Sequence, residues 1–152
     1  MKKIIIFLIL ITNLNLFSQN TKETEIDKLF KLTQVNEMTS TLVDSILEKA
    51  KEIYKEIPEE YWIGIKKDIN TIFFINDLKE VYKVNFTNEE LRKLNNVLEL
   101  GQQEVYREEV KKIDNQINEL SNKFGQYVFI TISKKIKVFF ESSNLPAAAR
   151  VK

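Results

Sequence analysis

Residues that make tight turns are scarce in this chain, which has three Gly and two Pro among its 152 residues. A β-sandwich or β-barrel joins many short strands through Gly- and Pro-rich turns, so this composition disfavours both folds. Apolar residues recur instead at steps of three and four, the spacing of one helix face. The sequence therefore predicts an all-α fold, a compact bundle of about five to six helices with one long C-terminal helix.

The longest periodic stretch follows Gly101. Its apolar residues alternate four- and three-residue steps, forming a seam that is typical of a helix packed on another helix: Tyr106, Val110, Ile113, Ile117, Leu120, Phe124 and Tyr127. Because the seam covers only about three heptads, packing within the chain is favoured over a coiled-coil homodimer, which stays open. Residues 126–132 alone could form a strand, but no second strong strand accompanies them. A helix continuing to about Phe140 is therefore favoured.

The N-terminal half of the chain contains three further predicted helices. Helical spacing predicts the first over residues 22–33 and the second over residues 37–57, with Asn36 as the N-cap of the second. The apolar stripe of the second helix comprises Met38, Leu42, Ile46, Leu47, Ala50, Ile53, Tyr54 and Ile57. Pro58 is expected at the first position of a third helix, where its missing N–H loses no hydrogen bond.

The third predicted helix changes its apolar face part of the way along. A second set of apolar residues lies about half a turn away from the first. The first set is Trp62, Ile65, Ile69, Ile72 and Phe73, and the second is Phe74, Ile75, Leu78, Val81 and Tyr82. A straight helix cannot bury both faces against one neighbour. We therefore expect a break or kink at residues 74–77, with Asn76 capping the continuation.

The clearest local signal is a capping box formed by Thr87 and Glu90. In this motif the Thr hydroxyl accepts from the N–H three residues later, while the Glu carboxylate reaches back to the N–H of the Thr. Phe86 and Leu91 occupy the positions of a hydrophobic staple. A helix is predicted from here to Leu100, and loss of the Thr87 cap should cost about 1 kcal/mol.

The first 18 residues have the layout of a secretory signal peptide. Lys2 and Lys3 precede an unbroken apolar run at residues 4–11, and the best cleavage site lies between Ser18 and Gln19. A spanning helix needs about 20 apolar residues, so cleavage is favoured over an uncleaved membrane anchor, the alternative. The protein is expected in the periplasm or outside the cell, with no transmembrane segment after cleavage.

Composition argues against nucleic-acid binding. Removal of 18 residues from 152 would leave 134, enough for a single helical domain over residues 19–145 and a loose tail at residues 146–152. The full chain has 23 basic and 22 acidic residues. Cleavage would remove Lys2 and Lys3 and leave 21 basic and 22 acidic residues, a net charge of −1. No basic surface for nucleic acid is therefore expected. The densest basic cluster is interpreted as a solvated helix end, with contact to anionic lipid as the alternative: Lys134, Lys135 and Lys137.

No catalytic, cofactor-binding or metal-binding set is predicted. The chain contains no His and no Cys, which removes the commonest general base and the thiolate ligands. Its adjacent carboxylates diverge on a helix instead of facing each other across a cleft: Glu59 with Glu60, Glu89 with Glu90, and Glu108 with Glu109. They are interpreted as capping or solvated residues, and an enzyme ranks third among the functions considered.

Two stretches resemble the exported bacterial proteins that carry the domain of unknown function 2059 (DUF2059). Residues 26–33, IDKLFKLT, precede a predicted helix and then the acidic, aromatic PEEYW at residues 58–62. Residues 81–91, VYKVNFTNEEL, are similar to that family's tyrosine followed by its FTxEEL helix start. The family's Ser-Pro is missing around Gly101. The resemblance spans most of residues 24–140 and implies an all-helical, exported domain without implying an activity.

Two functions remain after these exclusions. The first is a non-enzymatic helical module that binds an unknown protein or an envelope component. The second is a carrier that holds an apolar or lipid-like ligand between helices. The candidate pocket residues for the carrier, whose spacing also fits an ordinary core, are Trp62, Phe73, Phe74, Tyr82 and Phe86.

Overall fold

A computed structural model describes residues 21–143. Every regular element in this range is helical. The elements are residues 21–32 (α1), Val35–Ile53 (α2), Glu59–Asp68 (α3), Ile72–Asn85 (α4), Asn88–Glu99 (α5), Gln103–Val110 (α6), a 3-10 turn at Lys111–Ile113, and Asp114–Ser142 (α7). The predicted all-α fold with a long C-terminal helix is confirmed, and residues 126–132 lie inside α7. The predicted signal peptide, its cut at Ser18 and Gln19, and the tail at residues 146–152 lie outside the described residues.

The described chain divides into two compact units, each built from two segments that are distant in sequence. Unit 1 contains residues 21–34 and 78–116, and unit 2 contains residues 35–77 and 117–143. A division by compactness does not test independent folding, so the single domain expected for residues 19–145 stays a prediction. None of the described helices is long and apolar enough to cross a membrane.

Unit 2 is built around an aromatic core. Phe124 of α7 is almost fully buried and stacks on Phe74 of α4, with 4.6 Å between ring centroids. From Phe124 onwards, α7 buries every fourth residue. Four-residue steps advance the buried face by about 40° each, so this face winds around α7. The buried residues of α7 are Phe124, Val128, Ile132, Ile136 and Phe140.

The predicted seam is interrupted in the structure. Residues 106–127 do not form one helix, because α6 ends at Val110 and the chain makes a 3-10 turn before α7 begins at Asp114. Val110, Ile113 and Phe124 are buried, whereas the remaining four members are half-buried. Those four are Tyr106, Ile117, Leu120 and Tyr127.

The predicted break after α3 is real but lies earlier than expected. It falls at residues 69–71, not at residues 74–77, and α4 begins at Ile72. Asn70, not Asn76, caps the new helix, because its side-chain oxygen accepts from the N–H of Ile72 at 2.9 Å. Placing the break here lets Trp62 on α3 and Phe74 on α4 enter the same core.

Three smaller expectations about helix ends were wrong. Asn36 is not an N-cap, because Gln34, with a φ of 53°, reverses the chain at once and α2 begins at Val35. The second helix ends at Ile53, four residues before the predicted end. Pro58 is the N-cap of α3 and not its first helical residue, since its ψ of 152° is extended.

The apolar stripe predicted for α2 is only partly buried. Val43 and Leu47 enter the core together with Thr39, whose hydroxyl donates to the Val35 carbonyl oxygen at 2.7 Å. Met38, Leu42 and Ile53 are exposed instead. The core therefore faces one edge of the stripe, and the other edge stays accessible to solvent.

Candidate functional site

An apolar groove of about 260 Å³ lies between α2 and α7 in unit 2. The α2 side contributes five residues, counting the first one after the helix, and the α7 side contributes four. They are Ile46, Lys49, Ala50, Ile53 and Tyr54, and Phe129, Ile132, Ser133 and Ile136. Seven of these nine side chains are apolar or aromatic, which is the character of a site for an apolar partner.

The sequence opens this groove by placing small residues where two apolar faces meet. Ala50 lies four residues after Ile46 on α2, and Ser133 lies four residues after Phe129 on α7, so each small residue follows a large one on the same helix face. Larger residues around them pack into the core, including Ile132 and Ile136. The small side chains leave the space between the helices unfilled.

The groove is accessible because large apolar residues at its margin are exposed. Phe129 is 68 % exposed and Ile53 is 55 % exposed. On α2 the exposed apolar surface extends one and two turns beyond Ile46, through Leu42 to Met38. From Met38 to Ile53 the surface spans about 22 Å along the helix axis. Contiguous exposed apolar surface of this kind marks interaction sites in soluble proteins.

Two polar residues line the groove, Lys49 and Ser133. Both are exposed, and among the described residues Lys49 forms no ion pair. The neighbouring Lys51 is engaged by Glu48 at 2.9 Å and by Glu59 at 2.7 Å. Hydrogen bonds to Glu48 first and Glu59 second raise the pKa of Lys51 above its usual value. The groove therefore carries one cation that has no ion pair to the described residues.

A separate set of contacts holds α7 in place beside α3. The Tyr61 hydroxyl donates to the Lys135 carbonyl oxygen at 2.8 Å, and Lys135 forms an ion pair with Asp68. The Tyr127 hydroxyl accepts from the Asn70 N–H at 3.0 Å. The residues of α7 that form these bonds do not line the groove. The bonds therefore hold α7 against α3 and leave the groove-lining side chains free of these contacts.

The lysine cluster of α7 divides around the helix. Lys135 bonds to Asp68, and this hydrogen bond raises its pKa. Lys137 lies 3.7 Å from Glu141. Lys134 remains exposed without an ion pair to the described residues. The three charges therefore do not act as one patch, and two of them are partly neutralised.

Of the five aromatic residues considered as a pocket or as core, Trp62, Phe73 and Phe74 belong to unit 2. Trp62 is buried in the unit 2 core and donates its indole N–H to the Ile57 carbonyl oxygen at 3.1 Å. Phe73 packs edge-on against Tyr127, 4.9 Å between centroids, and Phe74 stacks on Phe124.

The other two members of that set belong to unit 1. Tyr82 and Phe86 are buried and stack on each other at 5.5 Å. The Tyr82 hydroxyl is 3.0 Å from that of Tyr106, and burial raises the pKa of both phenols. All five predicted residues are thus packing residues. Periodicity marked them correctly as apolar, but it could not separate a core from a cavity.

Both hydrogen bonds of the predicted capping box are present in unit 1. The Thr87 hydroxyl accepts from the Glu90 N–H at 3.2 Å, and the Glu90 carboxylate accepts from the Thr87 N–H at 2.6 Å. Lys112 adds an ion pair to Glu90 at 3.0 Å and lies 3.9 Å above the Phe86 ring centroid. The backbone bond to Thr87 first, and Lys112 second, lower the pKa of Glu90 to about 2.

The groove was not predicted from the sequence, although four of its residues belong to the apolar stripe predicted for α2. Phe129 lies in the stretch at residues 126–132 that was weighed only as strand or helix, and Lys49 lies between Leu47 and Ala50 of the stripe. A usable signal was the pair of small residues, Ala50 and Ser133, within otherwise large apolar faces. Within residues 21–143 there is no group of three or more acidic residues placed to hold a metal ion.

No protein-family model, no curated protein and no solved structure matches this chain. Membership of the DUF2059 family therefore stays a prediction that rests on the two quoted stretches.

Proposed function

We propose that the protein is an exported, non-enzymatic helical module that binds an apolar part of a partner protein or envelope component. The observation that carries this proposal is the groove between α2 and α7, with its exposed apolar margin at Met38, Leu42, Ile53 and Phe129. Export rests on the N-terminal pattern, with Lys2 and Lys3 before the apolar run.

The location of the exposed apolar side chains supports a dedicated binding surface. Burying such side chains releases about 25 cal/mol for each Å² of apolar area removed from water. Leaving several of them exposed in one unit, beside a groove, costs solubility unless something covers them. A groove between two helices is also a recurrent docking site for apolar segments of a partner.

A carrier of an apolar ligand is the second candidate, and the groove volume favours it. At about 260 Å³ the space is far larger than a single water needs. It is slightly smaller than the roughly 300–1,000 Å³ of typical small-molecule sites. The carrier function would use the groove residues and not the aromatic set that the sequence indicated.

Filling the groove tests both candidates. Ser133→Phe inserts a ring from an exposed position, so the core should tolerate it. Asn122→Phe is the matched control, because Asn122 is exposed on the same helix and does not line the groove. The neutral fluorescent probe N-phenyl-1-naphthylamine should bind the wild type and the control, and its affinity should fall at least tenfold in Ser133→Phe. Equal binding by all three proteins would refute a binding role for the groove.

Native mass spectrometry of the protein from its natural compartment tests export and names the partner class. Cleavage between Ser18 and Gln19 predicts a mature chain of 134 residues. A bound small-molecule mass supports the carrier, whereas a stoichiometric protein complex or a homodimer supports the interaction module. A chain that retains residues 1–18 would contradict cleavage.

A further inference from the structure

We propose that the groove between α2 and α7 binds a medium-chain fatty acid, with the alkyl chain against the apolar walls and the carboxylate at Lys49 and Ser133. This inference rests on the carrier, the second candidate of the proposed function, and specifies its ligand. The first step of the argument is the composition of the groove. Its lining is apolar except for the Lys49 ammonium, the Ser133 hydroxyl and the phenol hydroxyl of Tyr54, and it contains no acidic residue.

The volume of the groove sets the length of chain that it can hold. A cavity of about 150 Å³ holds benzene, which has six carbon atoms. On that scale, a groove of about 260 Å³ holds on the order of ten carbon atoms. The space therefore matches most of a dodecyl chain.

The polar residues of the groove match a carboxylate. Lys49 comes from α2 and Ser133 from α7, so the two donors enter the groove from both walls. A lysine ammonium donates up to three hydrogen bonds and a serine hydroxyl donates one, and an ionised carboxylate only accepts. Because Lys49 has no ion pair among the described residues, it is available to an anionic ligand without breaking an existing contact.

The charges around the groove also favour an anion. Along α2, Glu48 is already paired with Lys51 at 2.9 Å, and Glu52, three residues after Lys49, forms no ion pair within residues 21–143. On α7, Glu141 lies 3.7 Å from Lys137. None of these carboxylates lines the groove, so the ligand carboxylate meets Lys49 without an acidic residue in the lining to oppose it.

Competition between two ligands with the same alkyl chain tests the proposal. Dodecanoate and dodecanol, each below its micelle-forming concentration, are titrated against N-phenyl-1-naphthylamine bound to the mature protein at pH 8. The quantity measured is the ratio of the two affinities. Lys49 is exposed, so its charge should favour dodecanoate by a factor of up to about five. Lys49→Gln should abolish this factor, because it lowers the affinity for dodecanoate more than the affinity for dodecanol.

Lys67→Gln is the matched control, because Lys67 is also exposed and unpaired in unit 2 but does not line the groove. It should keep the affinity ratio of the wild type. Ser133→Ala should lower the ratio less than Lys49→Gln, since it removes a hydroxyl and not a charge. Chain length gives an independent readout: affinity should rise from octanoate to dodecanoate and level off once the groove is filled.

The outcomes separate this inference from the proposed function. If the probe and dodecanol bind but the affinity ratio is the same in the wild type and Lys49→Gln, the fatty-acid proposal is overturned and the binding module stands. If neither ligand displaces the probe and Ser133→Phe changes the sedimentation coefficient instead, the groove is a contact between copies of the chain. If N-phenyl-1-naphthylamine bound neither the wild type nor Lys49→Gln, both proposals would be overturned.

Discussion

Unit 1 and unit 2 expose their large apolar side chains in different ways. In unit 1 the most exposed ones are Val84, on α4, and Leu100, in the turn after α5, and neither lines the groove between α2 and α7. In unit 2, Ile53 and Phe129 line that groove, whereas Ile130 and Val138 are exposed elsewhere on α7. Scattered apolar residues are normal on any protein surface, whereas a gathered set indicates binding. The comparison therefore assigns the binding surface to unit 2.

The two units also differ in what fixes their helices. Unit 1 relies on specific polar contacts: the buried Asn95 amide donates to the Glu25 carbonyl oxygen at 3.0 Å and to its carboxylate at 2.9 Å, and Arg92 adds a bond to Glu25 at 3.1 Å. Unit 2 relies more on stacked rings around Phe124. Polar contacts specify geometry, and packed rings supply most of the burial energy.

The largest expected effect is in the unit 2 core. Phe124→Ala should lower the free energy of unfolding by about 3–5 kcal/mol, because it removes a buried ring and leaves a cavity beside Phe73 and Phe74. Urea denaturation monitored by circular dichroism measures the change. Phe129→Ala removes the same ring from an exposed position of α7 and should change stability by less than about 1 kcal/mol. Equal losses in the two variants would contradict the assignment of core and surface on α7.

The next effect concerns the polar contacts of unit 1. Asn95→Ala removes both bonds to Glu25 and should cost about 1–3 kcal/mol, since the Glu25 carbonyl and carboxylate lose a donor. Asn96 is adjacent on α5 and exposed, so Asn96→Ala is the matched control and should be nearly neutral. The same urea experiment applies. A neutral Asn95→Ala would show that apolar packing alone holds this part of unit 1.

A smaller effect is a pH dependence that comes from the capping box of unit 1. The folded-state pKa of Glu90 is about 2, below its ordinary value of 4.5. The unfolded chain therefore binds this proton more readily, so Glu90 contributes stability above pH 4.5 and loses that contribution as the pH falls towards 2. Glu90→Gln should be less stable than the wild type at pH 7, and the gap should close at pH 2.

The control for the acid effect is the neighbouring carboxylate. Glu89→Gln removes the same charge from the same helix turn but keeps both hydrogen bonds between Thr87 and Glu90. The free energy of unfolding of Glu89→Gln should depend on pH as that of the wild type does between pH 7 and pH 2. A gap between wild type and Glu90→Gln that stays constant from pH 7 to pH 2 would place the source of the effect elsewhere.

Local signals predicted the capped helix of unit 1 well, because a capping box is encoded within four residues. Thr87 and Glu90 make the expected bonds, and α5 ends at Glu99, one residue from the predicted end. The break after α3 was misplaced because the face change after Phe73 shows that a helix must end, but not where. The amide of Asn70 decides the position, and Asn76 offered the same chemistry six residues later.

The groove could not be predicted from periodicity, because periodicity shows which residues are apolar and not which are covered. The apolar stripe predicted for α2 contains Leu47, which is buried, and Met38, which is exposed, and it omits Val43, which is buried. Whether an apolar residue of α2 is buried depends on how many helices pack against α2, and residue spacing does not give that number. The same limit explains why spacing left the aromatic set from Trp62 to Phe86 open between pocket and core; four of its members are buried, whereas Phe73 is 37 % exposed.

The smallest expected effect on stability gives the sharpest test of the difference between the units. Phe129→Ser should change the free energy of unfolding by no more than about 0.5 kcal/mol, because the ring is mostly exposed. The same change should weaken binding of N-phenyl-1-naphthylamine, because Phe129 forms part of the groove wall.

Two controls separate the groove from apolar surface in general. Ile130→Ser changes the next residue of α7, which is exposed but does not line the groove, and Val84→Ser changes an exposed residue of unit 1. Both should leave probe binding unchanged. If Val84→Ser weakened binding as much as Phe129→Ser, the probe would report exposed apolar surface on both units, and the assignment of binding to unit 2 would fail. If only Phe129→Ser weakened probe binding, the groove would be the binding site. Because the same variant should be as stable as the wild type, the result would show that Phe129 serves binding and not folding.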